Sequence, residues 1–375
     1  MKKVVIAIDS FKGCLPSAEA GKAAAEGIRS VYPECEVICL PIADGGEGML
    51  DVLIMATNGQ EVPISAHDPL MRWRNTYYGI SENGETAFIE MASISGLPLV
   101  PPERRNPMLT TTYGTGEIIR DALERGCRNF IIGIGGSATN DAGLGMLQAL
   151  GFRFSDKEGK EVGTGRGEVL IKVAHIDSTC VHPALNSCRF TVACDVQNPF
   201  YGPEGAAYVF APQKGANREM VEALDAGLQN FAEVIRHTTG KDISHHPGAG
   251  AAGGMGGSLL AFLNAELKPG IQLMLEALDF SNKIKSADLI ITGEGKADRQ
   301  TLMGKVPSGI LAEARKQNIP VILLAGNIED SDELQQAGFE GVFSVNPPFI
   351  SLEEAMRPEV ARKNIQQTVE SICKK

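Results

Sequence analysis

Apolar, β-type runs alternate with segments of helical periodicity near the start of the chain. Val4 to Asp9 and Glu36 to Ile42 predict strands, whereas Ser17 to Val31 and Gly48 to Thr57 predict helices. Uniformly apolar strands separated by helices are typical of a parallel sheet covered on both faces. This part of the chain therefore predicts two strands of such a sheet.

The same alternation returns near the C-terminus. Leu289 to Thr292, Val321 to Ala325 and Gly341 to Val345 predict strands, whereas Pro307 to Gln317 and Leu352 to Ile372 predict helices. Two strands at the start and three at the end together give one five-stranded doubly wound sheet. The chain between them is then an insertion into this domain.

The middle of the chain has a different pattern. Arg72 to Ile80 and Thr86 to Met91 alternate as hairpin strands do, Phe130 to Leu150 is typical of a βα unit, and Glu219 to Thr238 predicts a long helix. Hairpins mixed with helices predict a second domain with a mixed sheet. The expected domains are a discontinuous doubly wound one over 1–62 and 286–375, and an inserted one over 63–285.

Composition and charge narrow the classes of function. The 375 residues are 43% hydrophobic and 22% charged, with a formal net charge of −11. Nonspecific binding to nucleic acid or to an anionic membrane needs a basic field, so we expect neither partner. The first apolar run meets Asp9 too early for a signal peptide, and no run reaches the ~18 apolar residues of a membrane span. We therefore expect a cytoplasmic protein.

Four loops pair a carboxylate with glycines at the point where an apolar run ends. Their acidic residues are Asp9, Asp44, Asp141, and Glu294 with Asp298. Carboxylates bind Mg²⁺, and glycine-rich turns expose backbone N–H groups that hold phosphate or carboxylate. Ligands of open parallel sheets lie outside the carboxyl ends of the strands, so the pattern indicates an enzyme for a phosphorylated, metal-bound ligand. For any single loop, a helix cap or a plain turn is the alternative.

Two further loops are candidates for anion binding. Gly248 to Gly257 has only small side chains apart from Met255 and precedes an apolar helix, which favours either an anion site or a tight helix contact. Gly133 to Ala138 matches the dinucleotide fingerprint, but the acidic residue expected after it, Asp156, falls in a predicted hairpin turn. We favour phosphate binding without nicotinamide. An NAD-dependent oxidoreductase of a small hydroxy acid and a non-catalytic nucleotide or sugar-acid binding protein stay as alternatives.

Nine segments, collinear over the whole chain, resemble the bacterial glycerate kinase type I family. They are DSFKG (9–13), ADGGEG (43–48), RNPMLTTTYGTGE (105–117), IGIGGSATNDAG (132–143), ACDVQNP (193–199), APQKGA (211–216), PGAGAAGGMG (247–256), ITGEGKADRQ (291–300) and GKVP (304–307). The chain departs from the family pattern at Gly13 and Ala142. The resemblance implies phosphorylation of D-glycerate by ATP and Mg²⁺, giving 2-phosphoglycerate or 3-phosphoglycerate. It also implies a flavodoxin-like domain interrupted by a second α/β domain; the chain is compatible with a homodimer.

Phosphoryl transfer needs in-line positioning, neutralised phosphate charge and a base for the attacking hydroxyl. We assign Asp44 and Asp195 to base and Mg²⁺ ligation, and Lys12 and Lys214 to charge neutralisation. Arg105, whose planar fork can hold two oxygens, is the expected clamp for the glycerate carboxylate. The remaining candidates are Glu294 and Asp298 as metal ligands, Asp9, Ser10, Gly45 and Gly46 at the substrate, and Gly135, Gly136, Ser137, Thr139, Gly248, Gly250, Gly253, Gly254 and Gly293 at ATP.

Overall fold

The structure is a computed structural model, and it describes residues 1–43 and 48–374. The chain divides into two compact units: Met1–Asp44 with Ile271–Lys375 form the first, and Gly45–Gly270 form the second. The domain boundaries expected from the sequence, after residues 62 and 285, remain a prediction.

Strands and helices alternate along most of the described chain. The strands are β1 (Lys3–Ile8), β2 (Glu36–Cys39), β3 (Gln60–His67), β4 (Trp73–Ile80), β5 (Thr86–Glu90), β6 (Asn129–Gly133), β7 (Arg153–Ser155), β8 (His175–Asp177), β9 (Arg189–Ala193), β10 (Glu266–Lys268), β11 (Leu289–Ala297), β12 (Val321–Ile328) and β13 (Gly341–Ser344). The α-helices are α1 (Ser17–Val31), α2 (Met49–Ala56), α3 (Ala92–Ser95), α4 (Tyr113–Glu124), α5 (Leu144–Ala149), α6 (Ala206–Phe210), α7 (Arg218–Thr239), α8 (Met255–Phe262), α9 (Gly270–Ala277), α10 (Phe280–Lys283), α11 (Val306–Arg315), α12 (Ser331–Gln336), α13 (Leu352–Ala355) and α14 (Pro358–Cys373).

The first unit contains a parallel sheet in the order β2–β1–β11–β12–β13. Val4, Ile6 and Ile8 pack into a core with α1 and α14. Side chains alternate across a strand, so the buried Val5 and Ala7 face the opposite side, where α11 packs on β11. The five-stranded doubly wound sheet predicted from the two ends of the chain is confirmed.

The second unit contains a mixed sheet in the order β10–β9–β6–β5–β4–β3. β3, β4 and β5 are antiparallel neighbours, whereas β5, β6, β9 and β10 run parallel. α2 packs on β4 and β5, and β7 and β8 form a separate antiparallel pair. The mixed sheet predicted for the middle of the chain is thereby confirmed.

Two element ends differ from the sequence prediction. The single closing helix expected over Leu352 to Ile372 is broken into α13 and α14 at Arg357, whose ψ of 125° is extended. A residue before proline is disfavoured in the α region, and Pro358 follows. β11 continues past Thr292 because Lys296 and Ala297 still pair with β12. Among the described residues, no helix is long and apolar enough to cross a membrane.

Candidate active site

The first unit places two carboxylates side by side at the carboxyl edge of its sheet. Ile8 of β1 pairs with Gly293 of β11, so the next residues, Asp9 and Glu294, lie together. Each is only 6% exposed. The Asp9 carboxylate accepts a hydrogen bond from the Ser10 N–H at 2.7 Å. The expectation that these acids share one edge despite their distance in sequence is confirmed.

Glu294 is held in place by a hydroxyl and an ammonium group. The buried Thr301 hydroxyl donates to Glu294 Oε1 at 2.5 Å, and Lys305 Nζ lies 3.7 Å from Oε2. A buried carboxyl group needs such partners to offset its lost hydration. The Glu294 side chain is therefore held in a fixed position at the carboxyl edge of the sheet.

Asp298, the other acid of this loop, acts as a helix cap. Its carboxylate accepts from the Gln300 N–H at 2.9 Å at the start of the 3₁₀ helix Arg299–Leu302, and its own N–H donates to the Thr301 hydroxyl. This reciprocal arrangement is a capping box. Thr301 thus links the cap to Glu294. The capping alternative holds for Asp298, and its role as a metal ligand stays a prediction.

A cleft of about 730 Å³ opens at this edge, and we call it the carboxyl-edge cleft. Asp9, Ser10 and Glu294 line it, together with the amino-group-bearing residues Lys12, Lys296 and Lys305. Residues of the segment 347–356 form an apolar wall. The cleft therefore combines buried acids, lysines and apolar surface.

The second unit contains a buried lysine. Lys214 is 2% exposed, and its ammonium donates to Ser137 Oγ at 2.8 Å and to the Thr139 carbonyl at 2.7 Å. Burial lowers the pKa of Lys214 to about 7, against the opposing attraction of Asp141. Both acceptors belong to the loop that follows β6. Lys214 therefore positions this loop and carries a proton that is easily lost.

Asp141 belongs to the same loop and is fully buried. Its carboxylate accepts from the N–H and hydroxyl of Thr112, both at 2.8 Å, and from the N–H groups of Gly143 and Gly145, both at 3.2 Å. Burial raises the pKa of the Asp141 carboxyl, while these four donors oppose the rise. Asp141 is a structural anchor of the loop.

Asn140 is the residue that sequence reasoning missed. Both polar atoms of its amide are buried without a hydrogen-bond partner, as is the hydroxyl of the neighbouring Thr139. Buried polar groups are nearly always paired, so the unpaired amide of Asn140 marks a position where a ligand, an ion or water can bind. Its place in the sequence SATND, between Thr139 and Asp141, is the signal that could have identified it.

Arg105 packs against Gly215, the residue that follows the buried Lys214. Its carbonyl packs so closely on Gly215 that a Cβ there would come within 2.3 Å of the oxygen. The Arg105 side chain is half-buried and donates from Nε to the Val100 carbonyl at 3.4 Å. Gly135 and Gly136, in the loop held by Lys214, are exposed. The second unit thus brings together the predicted residues Arg105, Lys214, Ser137 and Thr139.

Asp195, at the carboxyl end of β9, is exposed. Its Oδ1 accepts from the N–H of Gly270, the first residue of α9, at 2.8 Å. Such a contact satisfies a free amide at a helix start. The base or metal role assigned to Asp195 stays a prediction.

The glycine run from 248 to 257 is packed inside the second unit. A Cβ on Gly253 would lie 2.1 Å from the Thr139 carbonyl oxygen, and one on Gly250 would lie 2.2 Å from that of Pro199. The N–H groups of Gly250 and Gly254 already donate to backbone carbonyls. This geometry supports the tight-contact alternative. The ATP contacts assigned to Gly248, Gly250, Gly253 and Gly254 stay predictions.

The dinucleotide fingerprint lacks its structural context. The helix after Gly133 to Ala138 begins only at Leu144, whereas the fingerprint requires a helix that opens within the glycine loop. Asp156 lies in a hairpin turn, where its N–H donates to the Lys160 carbonyl. The structure therefore does not support the nicotinamide alternative at this loop.

Three predicted residues, Asp44, Gly45 and Gly46, lie outside the described part of the chain. Within 1–43 and 48–374, no three His, Cys, Asp or Glu side chains come together as a ready-made metal site. Mg²⁺ commonly uses one or two carboxylates and the phosphates of its substrate. The adjacent Asp9 and Glu294 fit that requirement.

Ligands of doubly wound sheets bind outside the carboxyl ends of the strands, and the buried acids and the lysines at that edge are suited to a small phosphorylated molecule. The model of the glycerate kinase family matches residues 4–375. The chain belongs to the glycerate kinase family.

Similar proteins cover nearly the whole chain. The glycerate kinase of Bacillus subtilis (strain 168) is 46% identical over 99% of this chain and 97% of its own length. The glycerate 2-kinase of Escherichia coli (strain K12) is 48% identical over 95% of this chain and 93% of its own. The crystal structure of putative glycerate kinase 2 from Salmonella typhimurium LT2 superposes with a TM-score of 0.90 at 44% identity, covering 100% of this chain and 97% of that one.

Proposed function

We propose that this chain transfers the γ-phosphoryl group of ATP to D-glycerate, giving 2-phosphoglycerate and ADP. The observation that carries the proposal is the family match over residues 4–375. The similarity to the glycerate 2-kinase of Escherichia coli supports the 2-hydroxyl as acceptor. The enzyme acts in the cytoplasm, where ATP is available, and a homodimer is compatible with the chain.

The reaction exchanges one phosphorus–oxygen bond for another. The hydroxyl oxygen of glycerate bonds to the γ-phosphorus, the bond from that phosphorus to the bridging oxygen breaks, and ADP leaves with the electron pair. The hydroxyl proton passes to a carboxylate base. Asp44 is the proposed base and Asp195 the second candidate.

The second unit supplies cationic groups suited to glycerate. The guanidinium of Arg105 can hold the glycerate carboxylate through two hydrogen bonds. Lys214 holds Ser137 and Thr139, so the exposed Gly135 and Gly136 of their loop present backbone N–H groups from a fixed position. These groups orient the acceptor.

Mg²⁺ would neutralise charge on the ATP phosphates when bound. Asp9 and Glu294 fit a site of one or two carboxylates, because both are buried at the same strand edge. Asp44, Asp195 and Asp298 are the other proposed ligands. Lys12 offsets negative charge on the transferred group.

Release of ADP tests the proposal. Purified protein with ATP, Mg²⁺ and D-glycerate should form ADP only when glycerate is present, and NAD with D-glycerate should give no NADH. Formation of NADH would favour the oxidoreductase. Binding of both ligands with no ADP would favour a non-catalytic binding protein.

A further inference from the structure

The carboxyl-edge cleft is too large and too apolar for glycerate. Its volume of about 730 Å³ is in the range of pockets that hold drug-sized ligands, roughly 300–1,000 Å³. A three-carbon acid with polar groups on every carbon would leave most of this space unfilled. The cleft therefore fits a larger ligand with an apolar part.

One wall of the cleft comes from apolar side chains of the segment 347–356, which also contains Ser351, Glu353 and Glu354. Pro347, Pro348, Ile350, Leu352 and Met356 face the space. Leu352 is 79% exposed, and with the exposed Phe349 and Met356 it gives this one segment three exposed large apolar side chains; clustered apolar exposure of this kind marks binding surfaces. Flat apolar surfaces of this kind are suited to the faces of an aromatic ring system.

Phe349 adds a second observation to the same segment. It is fully exposed and has a φ of 70°, which is rare for an aromatic residue. Such backbone strain is concentrated at ligand-binding and switch positions. Its chain neighbours, Pro348 and Ile350, both line the cleft.

The other lining groups suit a polyphosphate. Lys12 follows β1, and Lys305 is the N-cap of α11, so its ammonium adds to the positive end of that helix. Lys296 is a third amino group. The buried Asp9 and Glu294 lie where β1 and β11 end, at the point where strand order reverses. In doubly wound sheets, this switch point is where nucleotides bind.

We propose that the carboxyl-edge cleft is the adenine-nucleotide site, with the base against residues 347–356 and the phosphates near Lys12 and Lys305. This inference rests on the proposed kinase activity and adds the location of its nucleotide. The buried lysine site of the second unit is left to glycerate, including the loop with Gly135, Gly136, Ser137 and Thr139, which the sequence alone assigned to ATP. Gly293 immediately precedes Glu294 in β11, and the ATP contact assigned to it stays a prediction.

Photolabelling locates the nucleotide directly. The probe is an azidoadenosine triphosphate, irradiated with the full-length protein and followed by trypsin digestion and mass spectrometry. We expect the label on the tryptic peptide 317–362, which contains the apolar wall. ATP should protect this peptide and D-glycerate should not. A label confined to the loops of the second unit, or no protectable label, would overturn the assignment.

A pair of variants tests the wall by kinetics. Leu352→Glu puts a negative charge on the wall at an exposed position, and Ile171→Glu makes the same change at an exposed position of the second unit. Leu352→Glu should raise the KM for ATP at least ~10-fold and leave the KM for glycerate unchanged, while Ile171→Glu changes neither. An unchanged KM for ATP, with or without an altered oligomeric state, would overturn the site.

The two proposals fail in different ways. If ADP forms with glycerate but the label lies in the second unit, the kinase function stands and the cleft assignment falls. If ATP protects the peptide 317–362 but no phosphoglycerate forms, the nucleotide site stands and the glycerate kinase function falls.

Discussion

Lys214→Met removes a buried ammonium without a large change in side-chain size. The ammonium donates to Ser137 Oγ and the Thr139 carbonyl, and burial holds its pKa near 7 instead of the ordinary 10.5. Between these two pH values, the unfolded chain binds a proton that the folded chain has released. The free energy of unfolding of the wild type must therefore rise with pH across this window.

The size of the effect follows from the shift. Where only the unfolded state is protonated, stability changes by about 1.4 kcal/mol per pH unit. From pH 7.5 to pH 9.0, the wild type should gain about 2 kcal/mol more than Lys214→Met, which has no proton to exchange at this site. Below pH about 7 the cost of the buried charge is fully present, and the two proteins should respond to pH alike.

Trp73 provides a selective assay. It is the single tryptophan of the chain and lies in β4, in the same unit as Lys214, with its ring 4.0 Å from that of His67. Loss of this ring contact changes its fluorescence when urea unfolds that unit. Lys172→Met, which removes an exposed lysine of this unit, is the control and should keep the wild-type pH dependence. If the wild type and Lys214→Met gain equal stability between pH 7.5 and pH 9.0, Lys214 is not the shifted group.

Three other changes have defined outcomes. Arg105→Lys keeps the charge but loses the fork, so the KM for glycerate should rise by the equivalent of ~1–3 kcal/mol while the KM for ATP stays constant; the opposite pattern in steady-state kinetics would reassign the residue to the nucleotide. Asp44→Asn should fold normally by circular dichroism and lose at least ~10²-fold in kcat, since an amide cannot accept the hydroxyl proton; rescue by Mg²⁺ would indicate the metal role, and near-normal kcat would refute both. Gly253→Ala puts a Cβ 2.1 Å from the Thr139 carbonyl at a φ of 68°, whereas Gly240→Ala, at a φ of 73°, meets nothing within 4 Å. Urea unfolding should show a loss for Gly253→Ala that exceeds the control by about 1–3 kcal/mol, and equal losses would contradict the tight contact.

The sheet of the first unit could be predicted from the sequence because each strand is a short apolar run with a helix after it. α1 begins and ends at the residues the periodicity predicts. The end of β11 could not be predicted from the sequence, because Lys296 and Ala297 belong to the strand only through their pairing with β12. The break at Arg357 had a local signal in Pro358, but the helical periodicity on both sides outweighed it.

Only those site positions that follow from the topology of the sheet could be predicted from the sequence. The rule for carboxyl ends of parallel strands placed Asp9 beside Glu294 without any contact information. The same rule could not show that Asp298 caps a 3₁₀ helix or that Asp195 accepts from Gly270. Those roles depend on backbone N–H groups whose positions are set by the folded chain. The burial of Lys214 is likewise a product of packing in the second unit.

The identity of the product tests the central claim most directly. ³¹P NMR of a mixture of purified protein, ATP, Mg²⁺ and D-glycerate reports ADP and the new phosphate ester in the same spectrum. The phosphorus of 2-phosphoglycerate couples to a single proton, so a doublet is predicted that grows with the ADP signal. A triplet would show 3-phosphoglycerate and would contradict the assigned hydroxyl. A spectrum with no new ester would contradict the kinase function itself.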